Sequence, residues 1–249
     1  SALVDVTNLI SLDRARPLHV FDADKLSGGL TARFGKDGES LVGLDGKTYT
    51  LDGEIVVIAD EAAARGIAGV MGGLETGCTM ETVNVFIEAA LFDPVRIAAA
   101  GRKTGINSDA RYRFERGVDP AFNRAGLELA TKLILEWCGG EASEVVSAGA
   151  VPEWRRTIAF DPGLVKRLTG LDLPPAEILR ILGDLGCTIA GAFPFQVTPP
   201  SWRPDLHGAA DLVEEVTRIH GLDNIPATPL PRLAAVTKPG LSPAQRRVR

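Results

Sequence analysis

Three short runs, LTARF, SLVGLDGKTYTL and EIVVIAD, follow one another between residues 30 and 60. No other feature of the chain limits its fold as much. Each run is rich in apolar or β-branched residues, and Asp-Gly pairs at 45–46 and 52–53 break them. Asp-Gly between such runs favours a hairpin, because glycine takes the positive φ that a tight turn needs. A small meander of strands is therefore expected over 30–60. VNVFIEAALFDP (83–94) begins as one more strand of buried character, and Asp93-Pro94 then opens a short helix over 94–101.

Elsewhere the period is helical. Residues 3–13 place Leu3, Val6, Leu9 and Ile10 on a partly apolar face, and Pro17 blocks continuation. The clearest helix is 121–138, where Leu127, Ala130, Leu133, Ile134 and Trp137 recur at three- and four-residue steps before Gly139-Gly140. VVSAGAV (145–151) reads as a further strand, and a boundary is expected near Pro152. Beyond it RRTIAF and FQVTPP read as strands. DPGLVKRLTG reads as a helix with Asp161 as N-cap and Pro162 at its first position. PPAEILRILGDLGC, with Ile178, Leu182 and Leu185 on one face, and GAADLVEEVTRIHG, closed by Gly221, complete the helices.

Strands and helices mix without a βαβ rhythm, so the class is α+β. Residues 1–151 form a mixed strand-and-helix domain, 152–225 a small helix-and-strand domain, and 226–249 a linker towards a further region. The closing PAQRRVR looks like the start of something cut off.

A chain of 249 residues suits one large or two modest domains. Its hydrophobic fraction of 45% can fill a core, no apolar run approaches a membrane span, and no secretory signal is evident at the start. A net charge of −5 argues against a generally basic nucleic-acid binder but permits a local basic patch. Cys78, Cys138 and Cys187 are widely spaced and odd in number, which suits a reducing compartment. His19, His207 and His220 lack the spacing of a metal site, and no nucleophile elbow, phosphate-binding loop or dinucleotide fingerprint is present.

What remains is a set of polar groups in apolar settings. Glu88 sits among Phe86, Ile87, Ala89, Ala90 and Leu91. Burying it ionised costs several kcal/mol unless it is paired. Thr7, Asn8 and His19 lie close together in sequence; they either satisfy themselves locally or line a pocket with Glu88. GIAGVMGG (66–73) is either a tight turn or backbone that approaches a ligand closely. Between residues 101 and 124, Arg102, Lys103, Arg111, Arg113, Arg116 and Arg124 outnumber the acids Asp109, Glu115 and Asp119. Internal ion pairs account for most of these cations, while phosphate contact is the functional reading.

The segments LVDVTNLI…RPLHVFD, AGVMGG, FIEAALFDP, SDARYRFERGVDP and PPSWRPDL…DLVEEVTRIHGLDNIP occur in that order. Together they resemble the middle of the β subunit of bacterial phenylalanyl-tRNA synthetases, over residues 1 to about 230. The resemblance implies that 1–151 is an editing domain, which hydrolyses tyrosine wrongly esterified to phenylalanine tRNA. It implies that 152–225 is the small domain that follows, with a winged-helix likeness. The family's editing residues fall here on His19 and Asn8, expected to hold the hydrolytic water or the substrate's polar end. Thr7, Gly72, Glu88, Ser108 and Ala110 are expected around the substrate.

Where many relatives carry Thr-Asp-Ala-Ser, this chain has Ser108-Asp109-Ala110-Arg111, which puts the tightness of the pocket in question. Arg102, Lys103, Arg111 and Arg113 are expected near the tRNA acceptor end. The resemblance further implies a cytoplasmic α2β2 assembly with the α subunit. ATP and magnesium would serve the whole enzyme, and no cofactor or metal this segment. The rival expectation is a non-catalytic scaffold that guides tRNA, with a degenerate pocket.

Overall fold

The computed structural model describes residues 1–227, 229 and 247. Most of the expected linker, 226–249, lies outside the described residues. The chain divides into two compact units, and the division falls after Thr157, some residues past Pro152. The first unit comprises Ser1–Thr157 together with Thr198–His207, and the second Ile158–Val197 and the chain from Gly208 onward.

The first unit opens with α1 (Ala2–Arg14) and β1 (His19–Asp22). Strands β2 (Thr31–Phe34), β3 (Ser40–Val42), β4 (Thr48–Thr50), β5 (Val56–Ala59), β6 (Ala64–Ile67), β7 (Met71–Gly72) and β8 (Val85–Glu88) follow. Helices α2 (Pro94–Thr104), α3 (Asp109–Phe114) and α4 (Asn123–Cys138) come next.

The expected strands over 30–60 are present, but they do not form one meander. β3 and β4 make the hairpin around Asp45-Gly46, with Gly46 at φ 77°. β5 instead pairs antiparallel with β2 and then with β6, giving the sheet order β2-β5-β6-β7. Asp52-Gly53 is thus a turn between two sheets and not a hairpin.

β1 and β8 form a separate two-stranded ribbon in which His19 lies opposite Glu88 and Phe21 opposite Phe86. Core side chains from β5, β6, α2 and α3, among them Val57, Ile67, Ile97 and Phe114, pack together. Val6 and Ile10 of α1 pack on Ala130 and Ile134 of α4, with Ile87 of β8 against them. Each Val or Ile buried in this way contributes roughly 1.5–3 kcal/mol before entropy is counted.

Two expectations fail here. VVSAGAV is exposed and forms no strand, because nothing pairs with its backbone. The helix expected over 94–101 runs on to Thr104 and ends at Gly105 with φ 69°. In the returning segment, the carbonyls of Pro204 and Leu206 accept from the Arg156 guanidinium, and Pro204 packs on Gly117.

The second unit contains β9 (Ile158–Phe160), α5 (Gly163–Thr169), α6 (Pro175–Asp184), β10 (Thr188–Ala190), β11 (Phe195–Thr198) and α7 (Ala209–His220). Its sheet has the order β10-β11-β9. Asp161 accepts from the Gly163 amide, but α5 starts at Gly163 with Pro162 as its N-cap, one residue later than expected. Phe160, Val165, Ile178, Leu182, Val197, Leu212 and Val216 fill the core. Leu185 is only half-buried, and Ile181 takes its place on the inner face of α6. The chain is α+β throughout. No helix among the described residues is long and apolar enough to cross a membrane.

Candidate active site

A cavity of about 90 Å³, open to solvent on one side, lies in the first unit. Its walls come from Pro17 and β1, the glycine-rich stretch 66–72, the end of β8, and α3. His19 and Glu88 contribute its only polar side chains; the remainder is apolar side chain or backbone. The two meet because they are register partners across the β1–β8 ribbon. Directly opposed residues of an antiparallel pair point to the same face.

Glu88 is packed among protein atoms except where the cavity reaches it, and no hydrogen bond or ion pair to its carboxylate occurs among the described residues. Burial pushes its pKa up to about 7, with Arg16 pulling the other way. Burial lowers His19 to about 4, so its ring is neutral at physiological pH. That ring stands edge-on to Phe21, centroids 4.3 Å apart, and its buried Nε2 has no partner.

The glycines behind this pair are a spatial necessity. A Cβ on Gly72 would lie 2.3 Å from His19 Cε1, and one on Gly73 2.4 Å from the Arg65 carbonyl oxygen. The backbone at Gly72 therefore runs flush against the imidazole, and that at Gly73 against the Arg65 backbone.

Of the residues singled out in the sequence, His19, Gly72, Glu88 and Ala110 line the cavity together. Thr7, Asn8 and Ser108 do not line it. α1 turns Val6 and Ile10 inward, and Asn8 lies two residues from each, about 200° around the helix, so it is exposed. Thr7 Oγ1 donates to the Val4 carbonyl at 2.9 Å, the local bond that helical Thr commonly makes. Ser108 caps α3: its Oγ accepts from the Arg111 amide at 3.1 Å and donates to the Val70 carbonyl at 2.6 Å. It thereby fixes the loop wall without facing the cavity.

Arg111 lies over Gly101, bonds Glu115 at 3.0 Å and donates to the Ile106 carbonyl, so it does not fill the cavity. Arg113 donates to the carbonyls of Ser11 and Asp109. Neither reaches Glu88. Lys103 pairs with Asp52 and Glu54, while Arg102 is exposed.

Sequence reasoning missed Arg16, which is 1% exposed and donates to the Ala90 carbonyl and to Asn123 Oδ1. The DRARP context reads as surface, and nothing local announces a buried cation.

The B3/4 domain model matches residues 1–139, and the tRNA synthetase B5 domain model matches 158–222. The phenylalanine–tRNA ligase beta subunit of Rhodospirillum rubrum is 57% identical across all of this chain. That of Paramagnetospirillum magneticum is 56% identical over 99% of it. The chain spans 31% of the length of each, about a third. A solved N-terminal fragment of the phenylalanyl-tRNA synthetase beta-subunit from Pyrococcus horikoshii is similar over 88% of this chain and 65% of that one, at 16% identity and a TM-score of 0.40. With the B3/4 and B5 domains in this order, at this identity to these relatives, the chain belongs to the phenylalanine–tRNA ligase beta-subunit family.

Proposed function

We propose that the first unit hydrolyses tyrosine from wrongly charged phenylalanine tRNA, as the editing part of a phenylalanine–tRNA ligase. The observation that carries this reading is Glu88: a carboxylate without a hydrogen-bond partner, facing an otherwise apolar cavity beside His19. Phenylalanine and tyrosine differ by one hydroxyl, and an apolar synthetic pocket rejects an added hydroxyl weakly, which makes a second, hydrolytic sieve useful. In such a sieve a tyrosyl hydroxyl donates to Glu88. A phenylalanyl ring would leave the carboxylate unpaired, at a cost of about 1–3 kcal/mol or more for a charged group.

The ester itself is already activated, so the step needs little acid–base machinery. Water attacks the ester carbonyl, the acyl–oxygen bond breaks, and the terminal ribose oxygen leaves with a proton. A neutral His19, with Nε2 unsatisfied, positions the water or the substrate's amino end. Asn8, exposed on α1, would reach a bound tRNA only from outside the cavity. Hydrolysis by this unit would require no ATP or metal; those would serve amino-acid activation in an α2β2 cytoplasmic enzyme built with the α subunit. Arg102 and Lys103, both exposed, are the cations best placed for tRNA phosphates, since a surface ion pair such as Lys103–Asp52 is cheap to exchange. Arg111 is committed to its own helix and the loop before it, and Arg113 to its own helix and α1.

The test is deacylation of tyrosyl-charged phenylalanine tRNA by the assembled enzyme, with and without Glu88→Ala. Loss of the preference for tyrosyl over phenylalanyl ester in the variant is the expected result. An unmutated enzyme that releases no tyrosine would instead favour a scaffold that guides tRNA.

A further inference from the structure

Arg16 is built into the wall behind the cavity. α1 ends on Ala15 at φ 50°, a left-handed turn that swings the next residue inward, and Pro17 follows in the cavity lining. The Arg16 stem lies along α4 at Gly126, where a Cβ would come within 3.0 Å of its Cγ. Its Nη2 ties the backbone at Ala90, two residues past Glu88, to Asn123 at the start of α4. Its Cζ stands 5.9 Å from the ring centroid of Phe114, a cavity residue. Nε and Nη1 are buried without partners.

A guanidinium that bonds through one of three nitrogens is a costly structural tie, because its charge is desolvated and mostly unsatisfied. A neutral amide could bridge the same two oxygens. The charge therefore calls for an explanation of its own, and Glu88 supplies one. Around Glu88, β1 presents the neutral His19, α4 presents the neutral Asn123, and the cavity walls are apolar. Asp22, Asp24 and Lys25 gather at the opposite end of the ribbon, near Val85 and Asn84. Asp119 acts on Arg16 and not on Glu88.

We propose that Arg16 is a positioning residue for the carboxylate that reads the substrate hydroxyl: from behind the wall it supplies the positive charge that offsets part of the cost of ionising the buried Glu88, and so sets the pH range in which a phenol is preferred to a plain ring. The inference rests on the editing reading above. An ionised acceptor left unpaired by phenylalanine costs more than a neutral one, so discrimination rises as Glu88 loses its proton.

The experiment measures the ratio of tyrosyl to phenylalanyl ester hydrolysis on phenylalanine tRNA, from mildly acidic to alkaline pH. It uses the assembled synthetase with wild-type β subunit, Arg16→Lys, Arg16→Gln and Arg16→Met. For the wild type and Arg16→Lys the ratio rises through a midpoint near 7. In Arg16→Gln and Arg16→Met the midpoint moves up by about one unit or more, the scale of an opposite charge nearby. Arg16→Gln keeps a donor for the Ala90 carbonyl, so it separates the charge from the tie. A wild-type midpoint in Arg16→Gln, or failure of both neutral variants to assemble, makes Arg16 a structural tie and overturns the proposal. A wild type that releases no tyrosine at any pH defeats the editing reading, and this proposal with it. A wild type that discriminates while Arg16→Gln leaves the profile unmoved defeats only the role of Arg16.

Discussion

Replacing Glu88 with Gln should change how the stability of the first unit depends on pH. Folding raises the Glu88 pKa from 4.5 to about 7. The folded state then holds this proton more tightly than the unfolded chain. The associated stability is complete below pH 4.5 and is lost as pH rises through 7. A shift of this size corresponds to about 3 kcal/mol, an upper figure because solvent at the cavity mouth screens part of the charge. His19 moves the other way, from 6.5 to about 4, so its contribution is present above pH 6.5 and lost as pH falls through 4.

The two windows overlap with opposite signs, and in the wild type they largely cancel. Glu88→Gln removes one of them. The variant should match the wild type below pH 4.5 and exceed it by up to about 3 kcal/mol at around pH 8. Glu39 and Asp60, both held near 2, destabilise the two proteins alike in acid and drop out of the difference. Urea unfolding followed by tryptophan fluorescence reads this unit selectively, because Trp137, Trp154 and Trp202 all belong to it. A wild-type-to-variant difference that stays flat with pH would refute the claim that Glu88 is desolvated.

Gly72→Ala should drive the His19 ring out of place, since the new Cβ would sit 2.3 Å from Cε1. We expect about 1–3 kcal/mol of destabilisation in the same urea assay and loss of tyrosyl ester release, whereas normal values in both would mean the ring yields freely. Ser108→Ala removes both the cap of α3 and the bond to Val70, and should cost about 1–2 kcal/mol; Ser108→Thr, which keeps the hydroxyl, should be close to neutral.

Glu88 was legible because a carboxylate in an apolar strand breaks a local rule, and such breaks gather at functional sites. Its partner could not be derived from the residues alone. His19 and Glu88 are cross-strand neighbours separated by 69 positions, and the strand order that unites them skips six strands. Arg16 was hidden for a related reason: what buries it is Gly126 and Asn123 on a helix more than a hundred residues away. The exposure of Asn8 was within reach, because Val6 and Ile10 already define the inward face of α1; the family motif outweighed the period. VVSAGAV shows the limit of β propensity, since a run of the right composition stays coil without an edge to join.

The return of Thr198–His207 to the first unit bears on how this protein can be cut. Truncation after Thr157 looks like a clean excision of the pocket-bearing half. It would instead strip Arg156 of the Pro204 and Leu206 carbonyls and uncover Gly117, on the loop that follows α3. The first unit is a discontinuous module. To transplant it, Thr157 must be joined to Thr198 by a short bridge, and a chimera made at a single crossover inherits a frayed edge close to the helix that walls the cavity.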